Sequence, residues 1–174
     1  MLLMALLALA GAPQDAGPLE PGRSGKLQCY GPDIAARTCT AIGAYRFDAD
    51  GTIWNDARNQ INASPQIVLH ATGKVYVRDG AECARPENRA EEITRIDLNG
   101  VALEGEQFTT VRRQIADNIN LVLGEGEFCS TYAPNPDGTL KASVTVDGVA
   151  RPEFESTVLW IEADAGWTLA LPAS

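Results

Sequence analysis

FTTVRRQIADNINLVLGEGEFC, residues 108–129, is the one run in the chain that reads clearly as an amphipathic helix. With Phe108 as origin and about 100° per residue, Val111, Ile115, Ala116, Ile119, Val122 and Leu123 fall in one apolar stripe. The spacing predicts a helix over residues 108–123, with Thr109 or Thr110 capping its start and Gly124 at the position that favours a left-handed residue. Such a helix is held mainly by docking its stripe onto a sheet, and strand-like sequence flanks it on both sides. Cys129 stands just beyond its end.

Immediately before the helix, EITRIDL-NG-VALEGE is the clearest hairpin in the sequence. Ile93, Ile96 and Leu98 face Val101 and Leu103 across Asn99-Gly100, the preferred pair for a two-residue type I′ turn. After the helix, residues 127–133 and 139–146 form a second hairpin around Asn135-Pro136-Asp137-Gly138. Residues 155–162 (ESTVLWIE) are apolar on both parities, as in a strand near a sheet centre, and residues 167–171 close the fold. Nearer the N-terminus, KLQCY and residues 37–47 are strand candidates, followed by an Asp-Gly turn at residues 48–52. QIVLH and KVYVR are expected as adjacent antiparallel strands joined at Gly73, while the polar stretch before Pro65 has no clear assignment. Residues 45–53 (YRFDADGTI) and 132–140 (YAPNPDGTL) echo one another, though a common turn followed by a strand accounts for so short a match.

The four cysteines are even in number and form no CxxC pair, and the single histidine leaves no second imidazole for zinc. Disulfides Cys29–Cys39 and Cys83–Cys129 are the favoured pairing of the three possible, one closing a short loop and the other spanning hairpin and helix. Residues 1–16 read as an export signal: Leu2 to Ala10 is apolar, and Ala10-Gly11-Ala12 is a small-x-small site, although no Lys or Arg precedes it. That stretch is shorter than the roughly 20 residues that cross a bilayer, and no other run approaches that length. Residues 17–25, rich in Gly and Pro, read as a flexible tether, and residues 26–174 as one α+β domain. Its expected architecture is an antiparallel, curled sheet with the helix against it, of roughly six to nine strands. A β-sandwich with the helix as an insert is the alternative. Export and disulfides together place the chain outside the cytoplasm, periplasmic or secreted.

A formal charge of −9 on 174 residues disfavours nucleic acid and anionic membrane as partners. No nucleophile elbow, phosphate loop or metal spacing is present, and no cofactor is expected. His70, the only imidazole, ends a strand where its ring could face a cleft. Arg112 lies within the apolar stripe of the helix, so it either snorkels or meets an anion between helix and sheet. Asp48 and Asp50 before Gly51 supply only part of a calcium loop. The expected function is therefore non-enzymatic binding of a small molecule or an envelope partner. A hydrolase using paired carboxylates and a structural component of the envelope are the alternatives.

Overall fold

Strand alternation dominates the chain, and it sets the architecture seen in a computed structural model that describes residues 17–171. A 3-10 turn (Gly17–Leu19) runs into the single-turn helix α1 (Glu20–Arg23). There follow β1 (Leu27–Tyr30), β2 (Thr38–Cys39), β3 (Ala41–Phe47), β4 (Ile53–Ala63), β5 (Gln66–Arg78) and β6 (Ala81–Ala84). Next come α2 (Arg89–Glu92), β7 (Ile93–Leu98), β8 (Val101–Ala102) and α3 (Gly105–Leu123). The chain ends with β9 (Phe128–Pro134), β10 (Leu140–Val146), β11 (Val149–Ala150), β12 (Ser156–Ile161) and β13 (Thr168–Leu169).

Strands β1, β3, β4, β5, β6, β9, β10 and β12 each pair antiparallel with the next, and β12 returns to β1. The sheet therefore curls, as expected, and goes further by closing into an eight-stranded barrel, which leaves no edge among these strands. The fold is mostly antiparallel β with one long helix, not a sandwich, and its sheet holds 11 strands where six to nine were expected. The surplus comes from β7, β8 and β11, short ribbons on the flanks of the barrel.

One expected hairpin is absent. QIVLH and KVYVR are consecutive parts of the single strand β5, which pairs with β4 from Gln66 to Val75. Beyond the barrel the two strands continue as a long ribbon, turning at a cis Ser64–Pro65 bond. The first half of β5 carries β7 on its other edge, with a register shift between His70 and Ala71 near the end of that pairing, and β6 takes the edge from Tyr76 to Arg78. The predicted type I′ hairpin is present, with Asn99 at φ 50° and Gly100 at φ 80°. Helix α3 begins at Gly105, earlier than the threonines suggested, and Thr109 instead returns its hydroxyl to the Gly105 carbonyl. Phe108, Val111, Ile115, Ala116 and Ile119 pack on Leu69, Ile93 and Ile96. The stripe stops there, and Val122 is exposed.

The barrel consists of two four-stranded halves that repeat register for register. Gln28 faces Gly43 between β1 and β3, as Glu82 faces Ser130 between β6 and β9. Tyr45 faces Asn55, as Tyr132 faces Ala142, and Ile53 faces Val75, as Leu140 faces Val158. Val77 meets Glu82 across β5 and β6, as Trp160 meets Gln28 across β12 and β1. The echoed turns also match: Thr52 N–H donates to Asp50 at 2.9 Å and Thr139 N–H to Asp137 at 3.0 Å. Cys29 and Cys83 stand at equivalent places.

Both expected disulfides form, Cys29–Cys39 and Cys83–Cys129. The first lies under the β2–β13 flap with Ile42, Ile161 and Trp167, on the outer face of the barrel. The second joins residues directly opposite one another on β6 and β9. Where composition suggested a tether, Gly17–Leu19 and α1 dock on the barrel, and Leu19 is fully buried against Tyr45 and Val75. Gly22 approaches Tyr45 so closely that an added Cβ would lie 2.9 Å from its ring. The export signal expected at residues 1–16 lies outside the described residues.

Candidate functional site

Alternation along β1, β3, β6 and β9 sends Gln28, Tyr30, Tyr45, Glu82 and Tyr132 to the inner face, where they meet. Glu82 Oε2 accepts from Tyr132 at 2.6 Å, and Glu82 Oε1 lies 2.9 Å from the Tyr45 hydroxyl. Gln28 Oε1 lies 2.6 Å from the Tyr45 hydroxyl and 2.7 Å from that of Tyr30, and the Tyr30 and Tyr132 hydroxyls are 3.3 Å apart. Burial pushes the Glu82 carboxyl above the ordinary carboxylate range, and the two phenols counter this only in part. The three phenols are pushed upward in turn, by burial first; for Tyr45 and Tyr132 the neighbouring phenols and Glu82 add to the rise, and for Tyr30 Glu82 adds to it while hydrogen bonds with Tyr132 and Tyr45 offset part, so all three keep their protons. Gln28 Nε2 is buried without a hydrogen-bond partner.

The rest of the lumen is under-filled because its inward positions carry small residues. Asn55, Ala57, Ala71, Gly73 and Ala84, with Phe128, wall a cavity of about 200 Å³. Helix α2 stands at its mouth, started by the Asn88 side chain, which accepts from Glu91 N–H. It contributes Arg89 and Glu92 to the cavity, while Leu123 closes it from α3. The Arg89 guanidinium lies 5.2 Å from the Phe128 ring centroid and donates from Nη2 to the Gly124 carbonyl at 3.0 Å. Its Nε is buried and unpartnered. Burial lowers the Arg89 pKa and raises that of Glu92, with the Glu87 charge adding to the Glu92 shift. Both groups are therefore held at the mouth with much of their hydration removed.

Two further surfaces adjoin this mouth. A cleft of about 330 Å³ on the other side of Glu92 is lined by Trp54, Lys74, Glu87 and Glu91. An apolar groove of about 410 Å³ runs between the β4–β5 ribbon and α3, with Ile61, Leu69, Ile115, Ile119 and Val122 on its walls.

The two side chains singled out from the sequence, His70 and Arg112, do not line the lumen cavity. His70 faces outward from β5, its Nε2 2.9 Å from Asp97, which also accepts from Arg95 at 2.7 Å. Burial alone would raise Asp97, but hydrogen bonds from Arg95 and His70 outweigh it and hold the carboxylate low. Arg112 lies over the Phe108 ring, one helical turn away, at 5.1 Å from the centroid. No three-residue metal-ligand group occurs among the described residues, and Asp48 and Asp50 serve their turn, accepting from Trp54 and Thr52. Glu82 and Arg89 were missed because a lone acid and a lone base in a polar context read as surface charge. The signal that could have found Glu82 was the pairing of Gln28-Cys29 with Glu82-Cys83, each upstream of an echoed tyrosine.

No protein-family model, curated protein or solved structure matches the chain. The two disulfides are compatible with an extracytoplasmic location, and no helix among the described residues is long and apolar enough to cross a membrane.

Proposed function

We propose that the protein is a non-enzymatic, extracytoplasmic binding protein that takes a small organic carboxylate into the mouth of its barrel. The observation that carries this reading is Arg89: a guanidinium at the cavity wall, partly desolvated, with one N–H buried and unpartnered. A buried donor without an acceptor is costly, and a carboxylate oxygen would offset that cost with a charge-assisted hydrogen bond. The Ala and Phe walls suit a compact apolar body behind the charged head, and Asn55 offers an amide for orientation. The one imidazole of the chain is tied to Asp97 on the outer face, away from this cavity.

The test is an NMR titration of the labelled protein with acetate, isobutyrate and benzoate, each set against its neutral amide. The reading expects shifts at Gly73, Ala84, Phe128 and the Arg89 side chain for the acids alone, lost in Arg89→Gln. Equal responses to acid and amide, or none in the lumen, would remove the anion site. A second reading rests on the neighbouring cleft, where Glu87, Glu91 and Glu92 stand beside Trp54 and the Glu92 pKa is raised. Carboxylate-based glycoside hydrolysis needs such a set. Turnover of aryl glycosides that disappears in Glu92→Gln would favour it over binding alone.

A further inference from the structure

The lumen network contains more contacts than it has protons. Five oxygen–oxygen contacts hold it together: Tyr30 and Tyr45 with Gln28, Tyr45 and Tyr132 with Glu82, and Tyr30 with Tyr132. Each needs one proton between its two oxygens. The phenols bring three, and Glu82 brings one more only when neutral. With the Gln28 carbonyl facing the phenols, a neutral Glu82 leaves one contact without a proton and an ionised Glu82 leaves two. In both cases the amide nitrogen is stranded, as observed.

Turning the Gln28 amide by half a revolution about its last bond changes the count. The carbonyl and NH2 ends have nearly the same shape, so nothing must repack. The two N–H groups then donate to Tyr30 and Tyr45. That frees the Tyr45 proton for Glu82 Oε1 and the Tyr30 proton for Tyr132, while Tyr132 continues to donate to Glu82 Oε2. All five contacts are filled, and they are filled with Glu82 ionised. The orphan left over is a carbonyl, which is less costly to bury than two N–H groups.

We infer that Glu82 and Gln28 form one protonation-coupled unit: a neutral carboxyl with the Gln28 carbonyl toward the phenols, or a carboxylate with the Gln28 NH2 toward them. In the structure the Gln28 carbonyl faces the phenols, the amide orientation of the first arrangement. The groups facing Glu82 are Tyr45 from β3 and Tyr132 from β9, with Tyr30 of β1 beyond them. Val77 opposes it from β5 and Leu19 of the docked N-terminal segment fills the neighbouring lumen. No cation contributes to the Glu82 carboxyl among the described residues. The repeat explains why residue 28 is an amide. Positions 28 and 82 are equivalent and share Tyr45, so two carboxyls there would repel one another on ionising.

The experiment is a pH titration of the unmodified full chain by NMR, following the Glu82 side-chain carboxyl carbon and the Gln28 side-chain NH2. Both should move with a single shared midpoint, above the ordinary glutamate value of 4.5. In Tyr132→Phe the carboxylate loses one donor, and the midpoint should rise by about one pH unit. In Glu82→Gln the Gln28 signals should become independent of pH. A Gln28 NH2 that stays fixed through the Glu82 midpoint would overturn the inference. That result needs no variant, so a substitution that fails to fold does not protect the idea.

Discussion

Leu19→Ala is the substitution that most directly tests whether the N-terminal segment is part of the fold. Leu19 has no exposed surface and packs against Tyr45, Val75 and their neighbours inside one end of the barrel. Removing a fully buried leucine side chain loses its transfer free energy and leaves a hole, together about 2–5 kcal/mol. With a urea slope of about 2 kcal/mol per molar, the unfolding midpoint should fall by about 1–2.5 M. Two variants of this outcome are distinguishable. If the segment stays docked around the hole, the slope is unchanged. If it lets go, the native state buries less surface, the slope shrinks, and amides 17–25 exchange rapidly with solvent. Urea denaturation with hydrogen exchange on the oxidised protein separates the two. An unpacked tether would make the substitution neutral, within about 0.5 kcal/mol. A change that small, with slow exchange at 17–25 untouched, would refute the packing argument.

Three other outcomes follow from the same structure. Replacing Cys83 and Cys129 together with serine should cost about 4 kcal/mol on the chain-entropy account, against roughly 2.5–3 for the Cys29 and Cys39 pair, because the sequence separations are 46 and 10; paired chemical denaturation curves would show the order reversed if loop length is not the governing factor. Gly100→Ala should cost about 1 kcal/mol, since φ is 80° and nothing lies within 4 Å of the new methyl, so that the whole effect is backbone conformation; a neutral result in thermal melts would contradict the type I′ turn. Stability should fall on both sides of the ordinary carboxylate range. Asp97 is held low by Arg95 and His70, and Glu127 by hydrogen bonds from Arg78 and Tyr76, so their stabilisation is present above the ordinary carboxylate range and is lost as pH falls through their folded values. Glu82 is raised, so the folded state binds its proton more readily and stability declines as pH climbs from 4.5 through the folded value. Denaturation across pH 3 to 8 should flatten on its alkaline limb in Glu82→Gln, and an unchanged limb would count against the Glu82 assignment (about this range, carboxylates titrate).

Local chemistry was readable where one residue type dictates one geometry. Asn99-Gly100 demanded a type I′ turn, the apolar stripe demanded a helix, and cysteine count and spacing favoured the pairing that forms. Closure of the barrel was not readable, because its inner face breaks the usual rule. Asn55 and Ala57 on β4 point inward, and being small or polar they hide the period that marks a buried strand. Gly73 looked like a bend between two strands because it lacks a side chain, whereas it belongs to the thin wall of a cavity. The helix drew attention to Arg112, the one charge in an apolar stripe, yet a stacked position over Phe108 accommodates it. Glu82 gave no local sign, since its environment is assembled from β1, β3, β6 and β9 together.

The repeated register gives the barrel two equivalent seams. At one, Arg78 meets Ala81 and the strands are joined by Asp79 and Gly80. At the other, Ile161 meets Leu27 in the same relation, and no short turn joins them. Strand order around the barrel is therefore indifferent to which seam carries the covalent link. Chain direction could begin at β6, run through β12 into β1 and finish at β5 without altering one pair of neighbours. In such a circular permutant the long excursion from β6 to β9, which holds α2 and α3, would fall in the first half of the chain. The asymmetry of the molecule thus resides in what was inserted between matching strands, and the cavity mouth is built from that insertion.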